Sequence, residues 1–206
     1  YAGGTFTNIS GSTFLNIAKW NGTSWSSLGS GISGGSSSGG VRKMIVYNNE
    51  LYVMGIFTNA GGVSATNIAK WDGSSWSAVA SIQGTVQQIA CAEVFNDELY
   101  IGGNFSGINN IPVNRLAKFD GTSWSDAGQG LQNCGYVTSM AVLRNELYGA
   151  GFFDFPESPT GFQHVGKWNG NNWESFGSVG KNFGTGSVSS LSNANDALFV
   201  SGVFGS

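Results

Sequence analysis

An aromatic-led motif recurs along this chain at near-constant spacing and restricts its possible folds more than any other feature. Tyr1, Tyr52, Tyr100, Tyr148 and Phe199 each open a segment with a glycine three residues on (Gly4, Gly55, Gly103, Gly151, Gly202) and a phenylalanine five on (Phe6, Phe57, Phe105, Phe153, Phe204). The openings are 51, 48, 48 and 51 residues apart. A period near 50 built from short runs is the mark of a propeller or stacked array, because one unit cannot bury its own faces. The repeats run 1–51, 52–99, 100–147 and 148–198, with 199–206 beginning a fifth, and 1–206 reads as a single domain or segment.

The second repeat shows how a unit is built. Leu51-Tyr52-Val53-Met54 is apolar on both alternating faces, the pattern of a strand covered on both sides. Gly55 there admits a neighbouring backbone at close range. Asn67-Ile68-Ala69-Lys70-Trp71 and Ser74-Ser75-Trp76 flank Asp72-Gly73, and Asn21-Gly22, Asp120-Gly121 and Asn169-Gly170 repeat the arrangement. Asp-Gly or Asn-Gly between such runs predicts a two-residue type I′ hairpin with positive φ at both central residues. That turn would pair Trp71 with Ser74 and Ala69 with Trp76, making the two Trp side chains diagonal neighbours on one face. Runs at Val41–Tyr47, Val86–Phe95, Val137–Leu143 and Val188–Leu191 supply another strand per unit. Short turns follow them at Asn48-Asn49, Asn96-Asp97, Arg144-Asn145 and Asn195-Asp196. No helical periodicity is sustained anywhere. The fold class is therefore all-β, with about four units of four short antiparallel strands.

The motif resembles a kelch repeat, carried by Leu99-Tyr100-Ile101-Gly102-Gly103 followed by Phe119 and Trp124. The paired glycines survive in two repeats only, and the aromatic-to-Trp spacing is five residues, one shorter than in kelch. Units such as Asn16-Ile17-Ala18-Lys19-Trp20-Asn21-Gly22-Thr23-Ser24-Trp25 are closer to secreted kelch-like repeats of bacterial surface proteins and of the fungal cortical polarity marker. The resemblance implies a β-propeller of four-stranded blades in which the strand before Leu-Tyr is innermost. On that reading the chain starts and stops at the second strand of a blade, so Leu198–Phe204 duplicates Tyr1–Phe6. It is then an arc of a larger ring, completed by other blades of the same polypeptide or by a second copy.

Composition excludes several functions. Nine basic residues in a chain of net charge −3 give no footprint for nucleic acid or an anionic membrane surface, and no run approaches a membrane span. Charged residues make up 10% of the chain, against ~25% in typical soluble domains, with Gly, Ser, Thr and Asn in their place, as in an extracellular or cell-surface protein. No nucleophile elbow, metal-ligand spacing or phosphate loop occurs, so no enzyme, no cofactor and no metal is implied, although loop carbonyls and Asp side chains leave calcium open. His164, the one histidine, aligns with Asn16, Asn67 and Arg115 and reads as a solvated strand-entry residue. Glu50, Glu98 and Glu146 recur with Lys19, Lys70, Lys118 and Lys167, either as structural contacts or as solvated strand ends. The seven Trp residues all occupy the repeated pairs, which favours packing between units over a sugar-binding surface.

Specificity belongs where the repeats disagree, because loops on a rigid scaffold carry function. The run 29–40 is Ser- and Gly-rich and flexible in character. The run 154–163 carries aromatics and carboxylates, which makes Asp154, Phe155, Glu157 and Phe162, with His164 beside them, a candidate contact surface; the other reading is an insertion that packs on its own unit. Cys91 and Cys134 fall near the same strand of successive repeats and are either a bridge between neighbours or two buried thiols. The expected function is a non-enzymatic extracellular or cell-surface scaffold for binding or adhesion, with a protein or glycan partner. The alternative is a lectin-type propeller, whose sites would recur with the period.

Overall fold

The computed structural model describes residues 1–35, 39–85, 87–129, 131–155, 163–176 and 187–203. These residues form strands and turns with no helix, arranged as small antiparallel sheets of two to four strands. No closed ring is present among them.

Each main sheet is a meander in which every strand pairs with the next in the chain. The second sheet holds Gly40–Tyr47, Glu50–Ile56, Ile68–Trp71 and Trp76–Ala80. The third holds Gln88–Phe95, Glu98–Asn104, Leu116–Phe119 and Trp124–Asp126, and the fourth Gln132–Leu143, Glu146–Asp154, Gln163–Trp168 and Trp173–Ser175. The first sheet has only the equivalents of the last three strands, Ala2–Gly3, Ile17–Trp20 and Trp25–Ser26. The fifth has only the first two, Ser187–Ala194 and Ala197–Val203. A sheet thus begins in the last run of one sequence repeat and finishes in the next. The chain divides into two compact units, Tyr1–Ile82 with Gln87–Ile89, and Gln83–Val86 with Ala90–Ser206.

The motif glycine has a local cause. The first and second strands of a sheet pair with a one-residue bulge, between Val41 and Lys43, Val137 and Ser139, or Val188 and Ser190. The residue facing the start of that bulge is Gly55, Gly151 or Gly202. A Cβ at Gly55 would lie 2.0 Å from the Gly40 carbonyl oxygen, and one at Gly151 would lie 2.3 Å from that of Tyr136. The close backbone approach expected at Gly55 is therefore the bulged partner strand.

The turns differ from the sequence expectation. Type I′ geometry falls at the turn between the first and second strands, where Asn48 and Asn49 have φ of 49° and 62°. Asn96-Asp97, Arg144-Asn145 and Asn195-Asp196 do the same. In the Asp-Gly and Asn-Gly loops only the glycine is left-handed, as at Gly73 with φ of 107°. The Asp72 carboxylate instead accepts the Ser74 and Ser75 N–H groups at 2.7 and 2.8 Å, and the Asp72 N–H donates to the Ser75 carbonyl at 3.2 Å. This side-chain turn displaces the two-residue hairpin because an Asx oxygen competes for nearby N–H groups. The loop is two residues longer as a result, and Trp71 pairs directly with Trp76 rather than with Ser74.

The aromatic pairs are accordingly direct cross-strand neighbours: Trp20 with Trp25, Trp71 with Trp76 and Trp168 with Trp173 tilted, and Phe119 with Trp124 stacked, with centroids 4.9 to 5.5 Å apart. In the first unit, Trp76 is buried and its Nε1–H donates to the Leu28 carbonyl at 2.9 Å. Its core joins Ile17, Leu28, Ile32, Val53, Phe57 and Trp76. In the second unit, Trp173 is buried and its Nε1–H donates to the Ala127 carbonyl at 2.7 Å. Leu28 and Ala127 lie three residues beyond Trp25 and Trp124, so one joint is built twice. Trp76 and Trp173 thus pack between neighbouring sheets of their own unit.

A second recurring device clasps neighbours together. Ile32–Ser33, after the last strand of the first sheet, adds to the hairpin Asn59–Ala60 and Val63–Ser64 that leaves the second sheet. The matching hairpin of the first sheet, Asn8–Ile9 with Ser12–Thr13, is two-stranded.

Candidate functional site

The expected contact loop divides. Asp154 ends the second strand of the fourth sheet, opposite Gln132, and is half-buried. Phe155 points inward. It is 3% exposed, meets Phe153 edge-on at 5.6 Å, and belongs to the core that contains Trp173. Its ring sits over Gly166, where an added Cβ would approach Phe155 Cζ to 2.6 Å. Burial of a large ring is strongly favourable, so Phe155 turns inward beside a glycine that leaves it room. It packs its own sheet and presents no ring to a partner. Glu157 and Phe162 lie outside the described residues, and His164 falls on the strand Gln163–Trp168. Cys91 is buried, with its thiol 3.9 Å from the Val137 carbonyl; the Cys134 side chain is outside the described residues.

At the strand-entry position Asn16, Asn67 and Arg115 are hydrogen-bonded through their side chains, and the His164 side chain lies outside the described residues. Asn16, Asn67 and Arg115 have φ of 63°, 64° and 65°. Asn16 donates through Nδ2 to the Ile32 carbonyl at 2.8 Å and accepts the Phe6 N–H at 3.1 Å. Asn67 is 4% exposed and donates to the Gly55 carbonyl at 3.2 Å. Arg115 Nη1 donates to Asn104 Oδ1 at 3.0 Å. Asn is common here because it tolerates the left-handed region and bonds locally, a signal present in the sequence.

The recurring Glu and Lys meet on neighbouring strands of one sheet. Lys70 Nζ donates to Glu50 at 2.8 Å, Lys118 Nζ to Glu98 at 2.9 Å, and Lys167 Nζ to Glu146. A tyrosine two residues after the Glu joins two of the clusters: Tyr100 Oη donates to Glu98 at 2.9 Å and Tyr148 Oη to Glu146 at 2.5 Å. The first sheet has Lys19 standing 5.8 Å from the centre of the Tyr1 ring, and the fifth has Ala197 and Phe199 at the Glu and Tyr positions. The charges are thus committed to one another sheet by sheet. Partly exposed pairs of this kind contribute ~0–1 kcal/mol, so they set strand register more than they stabilise.

These contacts move proton affinities. Burial, then the Glu50 charge, raises the Tyr52 phenol from 10.0 to about 12. Burial and the Glu146 hydrogen bond raise Tyr148 to about 12, and burial, then the Glu98 hydrogen bond, pushes Tyr100 well above the ordinary phenol range. The Lys167 and Tyr148 hydrogen bonds hold the Glu146 carboxyl below its ordinary range. Donation from the Ser75 hydroxyl and from the N–H groups of Ser75 and Ser74 holds Asp72 well below the usual carboxylate range.

A phenol that keeps its proton longer when folded contributes stability that is complete below its unfolded pKa of about 10 and is lost as pH rises through the folded value. The melting temperature is therefore expected to hold from pH 7 to about pH 10 and then fall steeply toward pH 12. The variant Tyr52→Phe/Tyr100→Phe/Tyr148→Phe should flatten that decline, read by circular dichroism alongside phenolate absorbance. An equally steep decline in the variant would show that these tyrosines do not cause it.

Exposed large apolar side chains occur on several sheets, among them Val46 and Tyr136, and on the first and fifth sheets they are aromatic. Tyr1 is 49% exposed, Trp20 45% and Phe199 53%, while Trp25 is half-buried where its equivalents Trp76, Trp124 and Trp173 are buried. Among the described residues no group of three or more His, Cys, Asp or Glu side chains is placed to hold a metal. The chain matches no protein-family model and no curated protein.

Proposed function

We propose that the chain is a run of β-propeller blades acting outside the cell or at its surface as a non-enzymatic scaffold for binding or adhesion. The observation that carries this reading is the repeated joint between sheets, in which a buried indole donates to a carbonyl of the preceding sheet at Trp76–Leu28 and Trp173–Ala127. Such joints commit the aromatic residues to stacking, and the Glu–Lys–Tyr clusters commit the charges to register. Variation is left to the loops. That is the economy of a display scaffold, where function lies in a site grafted onto the fold. The likeness to secreted kelch-like repeats and the low charge content support the extracellular setting. A protein or glycan is the partner class, with no nucleic acid and no membrane insertion.

The test is display of the chain on cells that otherwise lack it. Attachment to protein-coated and glycan-coated surfaces is then counted, with a glycan array run on the purified chain. A several-fold gain in attachment with a silent array supports the scaffold. Saccharide-specific binding on the array replaces it with the lectin reading, and no gain on any surface removes it.

A further inference from the structure

We propose that Asn21 and Asn169 are self-modification sites, where the backbone nitrogen of the following glycine converts the asparagine of the folded turn to aspartate with loss of ammonia. This inference does not rest on the adhesion reading. It starts from one turn built four times with two different residues at its head: Asn21-Gly22, Asp72-Gly73, Asp120-Gly121 and Asn169-Gly170.

The four turns share one geometry. Asn21 Oδ1 accepts the Thr23 and Ser24 N–H groups at 2.9 and 2.8 Å, and Asn169 Oδ1 accepts those of Asn171 and Asn172, both at 2.9 Å. The Asp72 carboxylate takes the corresponding pair at 2.7 and 2.8 Å, and Asp120 takes the Thr122 and Ser123 N–H groups, both at 2.8 Å. In every copy the leading N–H donates to the carbonyl three residues on at 3.1 to 3.3 Å, and the glycine has φ between 98° and 107°. Aspartate is thus the native occupant of two of the four copies. Exchange of the amide for a carboxylate leaves the turn's hydrogen bonds in place.

The reacting groups are accessible and polarised. Among the described residues neither the Gly22 nor the Gly170 N–H meets an acceptor. Both glycines are exposed, and an added Cβ would meet nothing within 4 Å at either, so solvent base reaches the N–H. Every other asparagine of the chain precedes a residue with a side chain. The two N–H donors on Oδ1 face the oxygen where negative charge develops as Cγ becomes tetrahedral, and donors placed in advance stabilise such an oxyanion. At Asn169 the leaving nitrogen Nδ2 donates to the Glu174 carboxylate. The glycine nitrogen gives its proton to solvent base and bonds to Cγ, the Cγ–Nδ2 bond breaks, and Nδ2 takes a proton from solvent and departs as ammonia. Water then opens the five-membered succinimide, with no change in oxidation state. Opening at the side-chain carbonyl restores the peptide bond and leaves aspartate; opening at the main-chain carbonyl leaves isoaspartate. The turn retains the first product. Hydrogen bonds from Ser75 and Ser74 hold the Asp72 carboxyl well below the usual carboxylate range, and those from Ser123 and Thr122 lower Asp120. A carboxylate kept ionised is a poor electrophile, so the aspartate does not close the ring again.

Ageing of the purified chain in mildly alkaline buffer, followed by tryptic mapping with fragment-ion sequencing, tests the proposal. Asn21 is the sole asparagine of the tryptic peptide 20–42, and Asn169 lies in 168–181. Both peptides are expected to gain about 1 Da, the balance of ammonia lost and water added, while the other asparagines stay intact. Isoelectric focusing should show one added negative charge per site. Gly22→Ala crowds the attacking nitrogen and should slow conversion at Asn21 at least about tenfold, with Asn169 as the internal control. The variant Asn21→Asp/Asn169→Asp should melt with the wild type, since it only extends the turn of Asp72 and Asp120. Conversion seen in denaturant while both sites stay intact in the folded chain overturns the proposal, because the turn would then guard the amide. A double aspartate variant that melts well below the wild type also overturns it, by showing that the product does not fit.

Discussion

Alanine at Gly55 is expected to destabilise the first unit by about 3 kcal/mol or more, whereas alanine at Gly4 should leave stability within about 0.5 kcal/mol of wild type. The two glycines occupy the same position of the same motif, so sequence alone treats them alike. Their surroundings differ. A methyl at Gly55 would stand 2.0 Å from the Gly40 carbonyl oxygen and 3.1 Å from the Arg42 nitrogen, both backbone atoms of a bulged strand that cannot swing aside. At Gly4 the nearest atoms are on the Phe6 ring, 3.5 Å away, because the first sheet has no first strand to bring a carbonyl close. Neither residue has a left-handed φ, so the contrast isolates steric approach from backbone freedom. Chemical denaturation followed by circular dichroism reads both variants. Gly151→Ala extends the test to the second unit, where the obstructing atom is the Tyr136 carbonyl oxygen at 2.3 Å. Equal, small losses at positions 4, 55 and 151 would show that the bulge relaxes freely and that the motif glycine has another cause.

How far the sequence was legible follows from what period and pattern encode. The recurrence of Tyr, Gly and Phe near every 50 residues announced repeated small all-β sheets, and the doubly apolar Leu51–Met54 run announced a strand covered on both sides. Both hold, because alternation and spacing are properties of the backbone that side-chain detail seldom overrides. The turn chemistry was misread at Asp72-Gly73. The dipeptide satisfies a type I′ turn, but Ser74 and Ser75 offer the aspartate two N–H groups and a tighter side-chain turn wins. The true type I′ turns carry Asn-Asn, Asn-Asp and Arg-Asn, where no glycine drew attention to them.

The candidate site was less legible still. Phe155 stands in the most irregular loop of the chain, which suggested a contact residue, yet what decides its direction is the space left by Gly166 on a strand 11 residues away. Such long-range complementarity leaves no local mark. The Glu–Lys pairs show the opposite case. Their recurrence left structural contacts and solvated strand ends both open, and the partners emerged only from strand pairing that sets Lys70 beside Tyr52 and hence within reach of Glu50.

Trp173→Ala is expected to cost the second unit about 3–5 kcal/mol, the range for deleting a buried Trp ring. The indole is fully buried, lies against Trp168 at 5.5 Å, and covers Gly149, whose added Cβ would sit 2.9 Å from Trp173 Cζ3. Gly149 beneath the ring has no side chain to move into the space it would leave. Trp173→Phe separates packing from hydrogen bonding. It keeps a ring in the cavity but leaves the Ala127 carbonyl without its indole donor at 2.7 Å, for an expected loss of about 1–3 kcal/mol. Trp20→Ala, on a side chain 45% exposed, should lose about 1 kcal/mol or less. The order Trp173→Ala, Trp173→Phe, Trp20→Ala in denaturation midpoints is therefore the signature of indoles that act as joints between sheets. If Trp20→Ala cost as much as Trp173→Ala, burial in a joint between sheets would not be what sets the cost of losing an indole.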